Sequence, residues 1–489
     1  RRSSFPRVDH ELNVHLSSHQ PHAHPDAVTE DELLYIKPEL RGLVVEEYQK
    51  TRHTLVAECP VRVWWLGRTL FGIDGISKHF MYFPGMQPQE ALSDAAEIAS
   101  LSPDLQPRCL GSPRSWHMAS ISVPNKSAVK PDSRRPLVNR SRWPTTRIDG
   151  LTSRCLDWVS SAFIPAHLHI DICRTDLSLK SVAHFSSHPC RGVVHAVGGD
   201  VESCFTNITH QLVTQSWSFY HACLRNRVPG ISAPRARSGK AAPFIYPRGS
   251  RGNLISFKLG DIEAVIHHHL RTSWFVVGIL VGKQIEGIPM GSALGTALAR
   301  MVLIFLDVVF YSFQRPPEIF PEHRVQCLSV LGADIVLLEL RYMDDVIGFW
   351  KGPPGLSESD CRGISDWLWE RLCHRYPLPL ERDNSGVFVG LAFELTTAGQ
   401  ISVRPATLAS ASYGSLGHSP LMPFCSFVPR SMKRSLVPGI AARVDSFTFP
   451  LELKPFVLAS ALKQLERCGG FPDTLLRRWI TSWRHDSLP

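Results

Sequence analysis

Two apolar runs, Ile335–Leu340 and Val346–Trp350, flank a polar tip, Arg341-Tyr342-Met343-Asp344-Asp345. Runs of this length around a short polar break predict a β-hairpin with two adjacent carboxylates at its turn. A second β-rich run, Arg191–Val197, ends at Gly198-Gly199-Asp200, and Val201–Ile208 then predicts a turn into a helix. A strand that ends on a carboxylate and feeds a helix is a common place for catalytic groups, and Asp is equally a good N-cap. The stretch Glu286-Gly287-Ile288-Pro289-Met290-Gly291-Ser292 leads into Ala293, Leu294, Gly295, Ala297, Leu298 and Ala299. Ser292 predicts an N-cap, with the helix running on to about Phe310. Small side chains in its first turns let another backbone, or a flat base pair, come close.

The remaining pattern predicts supporting elements. Residues 1–28 are rich in His, Pro and Ser without a clear period, and read as a mobile leader. Thr29 and Glu32 form a capping box ahead of Leu33, Leu34, Ile36 and Leu40, and Pro38 divides that helix. Trp64, Trp65 and Phe71 are expected core. Met118–Val123 predicts a strand, followed by Lys126, Lys130, Arg134, Arg135 and Pro136 in a basic hairpin that could hold a triphosphate. Residues 232–252 form a basic loop through Arg235, Arg237, Lys240, Arg248 and Arg251. His267-His268-His269 falls on a helix, where consecutive side chains diverge and do not share a metal. Gly355–Cys373 predicts an amphipathic helix. Leu378–Glu381 and Val387–Leu395 predict strands joined by the turn Asp383-Asn384-Ser385-Gly386. Residues 410–430 read as a linker, and 431–485 as basic helices broken at Cys468-Gly469-Gly470-Phe471-Pro472.

Composition narrows the partners. With 44% hydrophobic and 20% charged residues, the chain of 489 residues is globular rather than disordered. A net charge of +9 favours a polyanionic partner. The 12 cysteines form no CxxC pair, which fits reduced thiols better than a zinc site or a disulfide framework. No apolar run reaches membrane-spanning length, and no signal peptide is visible.

The order of these pieces is more specific than any of them. Basic hairpin, strand-Asp-helix, Gly-Ile-Pro-Met-Gly-Ser loop with its helix, Asp-Asp hairpin and a further hairpin together resemble the fingers and palm of reverse transcriptases. The segment Asp200–Ile208, Pro289-Met290-Gly291-Ser292 and the tail Gly469-Gly470-Phe471-Pro472 look most like Penelope-like retroelement enzymes, relatives of telomerase reverse transcriptase. The resemblance covers roughly residues 118–480.

The resemblance implies an α+β, right-hand polymerase fold with an antiparallel-sheet palm and a helical thumb. It divides the chain into an N-terminal leader and helical region (1–115), fingers (116–190), palm (191–410, with a fingers insertion near 225–285), and linker plus thumb (411–489). It implies an RNA-directed DNA polymerase that extends a DNA primer on an RNA template with dNTPs. Two Mg²⁺ ions, or Mn²⁺ in their place, would be held by Asp200, Asp344, Asp345 and the carbonyl of Val201. Nucleotide binding would fall to Lys126, Arg134, Arg135, Val201, Phe205, Pro289 and Gly291, with Phe205 excluding a 2′-hydroxyl. Gly287, Ser292, Tyr342, Met343, Gly390 and Leu391 would meet template and primer. His374 or Arg375 would donate a proton to pyrophosphate. A nuclear protein, cytoplasmic during assembly, is expected. Glu286 replaces the Gln that many relatives carry before the loop glycine, and a carboxylate there is electrostatically odd. No GIY-YIG endonuclease signature is visible, and there is no room for an RNase H domain. Two other readings stay open: a telomerase-like enzyme, and a catalytically idle RNA-binding scaffold.

Overall fold

The computed structural model describes residues 44–47, 55–58 and 60–478, apart from 106–115, 235–243, 246–253, 406–429 and connections of one to four residues, Arg135, Val389 and Gly390 among them. The expected helix at 29–40, and the arginines and lysine of the 232–252 loop, lie outside this set. The chain divides into two compact units, 61–403 and a second made of 1–60 with 404–489.

In chain order, β1 (Val44–Glu47) and β2 (Leu55–Glu58) form a hairpin, and α1 (Pro60–Phe71), β3 (Phe80–Phe83), α2 (Pro88–Ala96) and β4 (Ser120–Ser122) follow. The basic segment is a separate hairpin of β5 (Asn125–Ser127) and β6 (Lys130–Arg134), leading to β7 (Leu137–Asn139). Next come α3 (Thr146–Ala162), α4 (Thr175–Ser187), β8 (Val194–Val201), α5 (Cys204–Asn207) and α6 (His210–Leu224). The strands β9 (Ile231–Pro234), β10 (Phe244–Ile245) and β11 (Leu254–Phe257) make a small sheet before α7 (Leu259–Arg271), β12 (Trp274–Val277) and β13 (Leu280–Gln284). Then follow α8 (Gly295–Phe313), β14 (Glu318–Phe320), β15 (Val325–Val330), β16 (Ala333–Tyr342), β17 (Asp345–Lys351) and α9 (Glu358–Arg375). Last are β18 (Leu380–Arg382), β19 (Val387–Phe388), β20 (Leu391–Leu395), β21 (Ile401–Pro405), α10 (Arg430–Phe447) and α11 (Lys454–Gly469).

A six-stranded sheet in the order β14-β15-β16-β17-β8-β18 carries the chemistry, and every pairing in it is antiparallel. β16 is apolar along nearly its whole length because both its faces are covered. α4 packs on β15 and β16, α9 lies on β8, and α8 is enclosed by α3 and α6. Contrary to the sequence expectation, one helix, α8, is long and apolar enough to cross a bilayer, yet most of it is buried in this core. Ser357 caps α9 by accepting from Asp360 N–H, while the Asp360 carboxylate accepts from Ser357 N–H in return.

A five-stranded sheet, β3-β13-β12-β4-β7, packs around Phe71, Phe80 and Phe275. Phe71 meets Phe80 at a centroid distance of 4.9 Å, and Phe80 meets Phe275 edge-on at 5.7 Å. Trp65 does not join them, being 59% exposed. Apolar character alone does not choose a helix face.

One expected pairing is different. Leu380–Arg382 does not form a hairpin with the strand beyond it, but pairs with the outer edge of β8, placing Leu380 opposite Val201. The intimacy of that edge needs glycine: a Cβ on Gly199 would come within 2.6 Å of the Glu381 carbonyl and 2.8 Å of the Trp369 ring. The apolar stretch after the turn instead pairs with itself as β19 and β20, with β21 as third strand. In the other unit, α10 and α11 pack through Val437, Ile440, Val444, Val457, Ala461 and Leu465, and α11 ends at Gly470, as expected for that break. A break at Thr448–Leu453, not read in the sequence, divides the two helices.

Candidate active site

Register gathers the acids. β17 runs antiparallel to β8 with Asp345 opposite Asp200, so the two side chains leave the same face of the sheet. The hairpin turn adds Asp344, whose carbonyl accepts from Val201 N–H at 3.0 Å. Met343 takes the left-handed conformation (φ 55°) that the turn requires of a non-glycine residue. Asp200, Asp344 and Asp345 are all half-buried, and Tyr342 is exposed beside them. The Cys204 thiol beneath reports the local charge. Burial raises its pKa, the carboxylates of Asp344 and Asp200 raise it further, and Arg341 opposes them. The thiol therefore stays neutral. Among the described residues no three His, Cys, Asp or Glu side chains close into a ligand cluster.

A buried ion-pair network supports the turn. Arg341, wholly buried, donates to Asp171 Oδ1 at 3.1 Å, to Asp307 Oδ2 at 2.9 Å and to the Met343 carbonyl at 3.2 Å. Its backbone also pairs with the 170–172 segment: Arg341 N–H donates to Ile170 O, and Ile172 N–H to Arg341 O, each at 2.8 Å. Arg300 on α8 donates to Asp171 at 2.9 and 2.8 Å, and Tyr376 donates to Asp307 at 2.7 Å. Burial works against the charge on Arg341, and Asp307, Tyr376 and Asp171 outweigh it, raising its pKa. The hairpin tip is thereby tied to α8, α9 and the 168–172 segment by charge-assisted bonds.

The loop Gly287–Ser292 is held at four points. Ile288 N–H donates to the Phe205 carbonyl at 2.6 Å, the His210 ring bonds the Gly287 carbonyl at 3.0 Å, and Val138 N–H donates to Met290 O at 2.8 Å. Ser292 Oγ accepts from Gly295 N–H at 2.8 Å and so caps α8, as the sequence predicts. Gly287 has φ +85°, and a Cβ there would lie 2.7 Å from the Thr206 carbonyl. Gly291 is exposed, with its backbone close to Val138 O, and Pro289 before it is buried. Phe205, half-buried, is thus joined to the loop through its own backbone.

Glu286 has a simple place in this arrangement. Its Oε1 accepts from the backbone N–H of His210 at 2.7 Å, in the first turn of α6, while Thr209 Oγ1 accepts from Leu212 N–H at 3.1 Å. The carboxylate meets the positive end of a helix dipole.

No family model matches the chain, and no curated protein does. Solved structures do. The telomerase of Candida albicans, in complex with the TWJ fragment of telomeric RNA, superposes with a TM-score of 0.56 at 10% identity, over 93% of this chain and 68% of that one. Apo telomerase from Candida tropicalis gives 0.49 at 12% identity, over 99% and 72%. The RNA-dependent RNA polymerase of bacteriophage phi12 gives 0.37 at 10%, over 92% and 70%.

The fold is that of a reverse-transcriptase-like polymerase.

Within this polymerase fold the other anticipated residues are unevenly placed. Lys126 and Arg134 lie on the β5–β6 hairpin, whose side chains fall outside the described set together with Arg135 and Gly390. Leu391 is buried at the start of β20 rather than open to a nucleic acid. Of the two suggested proton donors, Arg375 is excluded: it is buried and donates to Glu339 Oε1 at 2.7 Å. His374 is exposed, with Nδ1 bonded to the Glu370 carbonyl at 2.8 Å. Sequence reading missed Arg341, although it adjoins the acids, and missed Asp171, Arg300 and Asp307 entirely. The available signal was two charged residues, Arg300 and Asp307, inside the otherwise apolar α8.

Proposed function

We propose that the chain is an RNA-directed DNA polymerase that extends a primer 3′-hydroxyl with deoxynucleotides by two-metal phosphoryl transfer. The observation that carries this reading is the β8–β17 register, which sets Asp200 against Asp345 with Asp344 in the adjoining turn. The donors are all oxygen, which suits a hard divalent cation such as Mg²⁺. Asp200, Asp344 and the Val201 carbonyl would hold it, with Asp345 beside them. Bound there, the metal would supply the charge that acidifies the primer hydroxyl and steadies the departing pyrophosphate. The protein's own part is placement. The Arg341 network fixes the turn that bears Asp344. In this reading Gly291, exposed on the anchored loop, would meet the nascent base pair, the buried Pro289 and Ser292 would hold its backbone, and Phe205 would crowd a 2′-hydroxyl. The likeness in fold to a telomerase solved with telomeric RNA supports an RNA template.

Primer extension on RNA and DNA templates tests the proposal. Asp200→Asn and Asp344→Asn should each abolish nucleotide addition while template–primer binding persists. Extension by either variant at the wild-type rate would overturn the assignment of the acids. Wild-type protein that binds template but never extends would favour the idle scaffold.

The Candida albicans likeness also favours a second reading, a telomerase-like enzyme that carries its own template. Ribonuclease treatment separates the two. Activity restored by any added template speaks for a retroelement enzyme, and activity restored only by one co-purifying RNA speaks for the other.

A further inference from the structure

The run His267-His268-His269 has no part in the chemistry above, and α7 turns its rings three ways. His267 is exposed, 3.8 Å from Glu263, and His268 bonds the Ala95 carbonyl at 2.9 Å. His269 points inward with no exposure at all. Its Nδ1 lies 3.1 Å from Asp149 Oδ2 and its Nε2 lies 3.2 Å from Ser292 Oγ. Arg140 Nη1 approaches the same ring, 3.0 Å from Nδ1 and 3.3 Å from Nε2, and Thr145 Oγ1 donates to Asp149 Oδ2 at 3.0 Å. Two stretches of the chain, residues 140–149 running from just after β7 into α3 and the Gly287–Ser292 loop, thus meet at the buried imidazole near the end of α7.

The protons can be assigned. Burial lowers the His269 pKa and the Arg140 cation lowers it further, against Asp149, so the ring is neutral at pH 7. With Nδ1–H directed at the Asp149 carboxylate, the Nε2 lone pair is left to two donors, the Ser292 hydroxyl at 3.2 Å and Arg140 Nη1 at 3.3 Å. That hydroxyl oxygen in turn accepts Gly295 N–H. Without His269 the Ser292 proton has an alternative acceptor, the Pro289 carbonyl at 3.1 Å, inside the loop itself. A Ser-His-Asp line can also serve nucleophilic catalysis. Here the serine is buried, its oxygen is committed to a helix N–H, and a cation lies on the imidazole. The line is built to hold, not to attack.

We infer that His269 is a positioning residue for nucleotide selection: the Asp149–His269–Ser292 line fixes the Gly287–Ser292 loop so that the base pair forming against it is accepted in one geometry. This inference rests on the polymerase reading above. Losing one hydrogen bond of this kind changes an equilibrium by about three- to tenfold. The ratio of wrong to right nucleotide incorporated, measured on a single template, does not depend on how much of the enzyme is folded.

His269→Phe keeps a ring and removes both nitrogens. It should raise that ratio about three- to tenfold and raise KM for the correct nucleotide more than it lowers kcat. His269→Gln retains an acceptor for Ser292 and should recover most of the discrimination. Ser292→Ala, a smaller change, should raise the ratio like His269→Phe, and the double variant should be no worse than the worse single one. An unchanged ratio in His269→Phe and Ser292→Ala, or effects that multiply in the double variant, overturns the inference. A thermal-unfolding cycle on the same four proteins reads the Ser292–His269 coupling without any nucleotide. Coupling in that cycle with no primer extension by wild type would sink the polymerase reading instead, and additive unfolding would sink the line itself.

Discussion

Replacing Arg341 by Met removes the cation that forms an ion pair with Asp307 among the described residues. The two carboxylates on Arg341 are not left in the same state. Asp171 keeps Arg300 at 2.8 Å, whereas Asp307 keeps the neutral donors Tyr376 Oη at 2.7 Å and Ile170 N–H at 3.3 Å, with Arg375 acting on it only through space. One fully buried carboxylate is therefore stranded, a defect that costs roughly 3–5 kcal/mol. The lost bond to Met343 O adds about 1 kcal/mol and frees the turn that carries Asp344. For a unit of several hundred residues each kcal/mol moves the unfolding midpoint by about 1–2 °C, so a drop of roughly 4–12 °C is expected. Differential scanning calorimetry measures it, with intrinsic fluorescence as a second probe because a chain of two units need not unfold in one step. The charge argument makes a sharper demand. Adding Asp307→Asn to Arg341→Met removes the stranded charge and should recover a substantial part of the loss. A midpoint within 1 °C of wild type in the single variant, or no recovery in the double, would refute the reasoning.

Other outcomes follow from the same geometry. The carboxyls of Asp171 and Glu339 are held below their ordinary pKa by arginines, and that of Asp149 by its bonds to His269 and Thr145 and by Arg140, in each case against the pull of burial. Their contribution is complete above about pH 5 and is lost as pH falls through the depressed values, so midpoints recorded from pH 6 down to pH 2 should fall steeply below about pH 4. Phe205→Ala should raise the ratio of ribo- to deoxynucleotide incorporation on one template, and a folded, active variant with an unchanged ratio would leave Phe205 as packing alone. Glu286→Gln keeps an oxygen for His210 N–H and loses only the dipole term, so it should cost about 0.3–1 kcal/mol by thermal unfolding and leave template affinity unchanged. A large change in affinity would mean that the carboxylate faces nucleic acid after all.

The acid-bearing elements were legible because their signals are local. An apolar run, a polar tip and a second apolar run specify a hairpin, and a strand running into Asp200 specifies where its carboxylate must stand. What holds them in place was not legible, since Asp171, Arg341 and the α8 pair Arg300 and Asp307 come from three elements far apart in the chain and no local pattern links them. Glu286 looked anomalous for the same reason: its partner is the start of a helix far back in the chain. The pairing of Leu380–Arg382 was misread because nearness in sequence favoured a hairpin, whereas the bare backbone of Gly199 opened a closer fit on the far side of β8. Trp65 shows the limit of composition, since an aromatic on a short helix gives no sign of which side faces the sheet.

The place of β8 in its sheet has a consequence for synthesis. This strand is translated before both of the strands that flank it, since β17 and β18 follow it in the chain. Until they emerge, Val194–Val201 exposes two unsatisfied backbone edges beside apolar side chains, the condition that invites misassembly on the ribosome. Its paired glycines weaken it as a free-standing strand. They delay commitment until the late partners arrive, and the nascent chain acquires its opposed carboxylates only when the Asp345 strand closes on it.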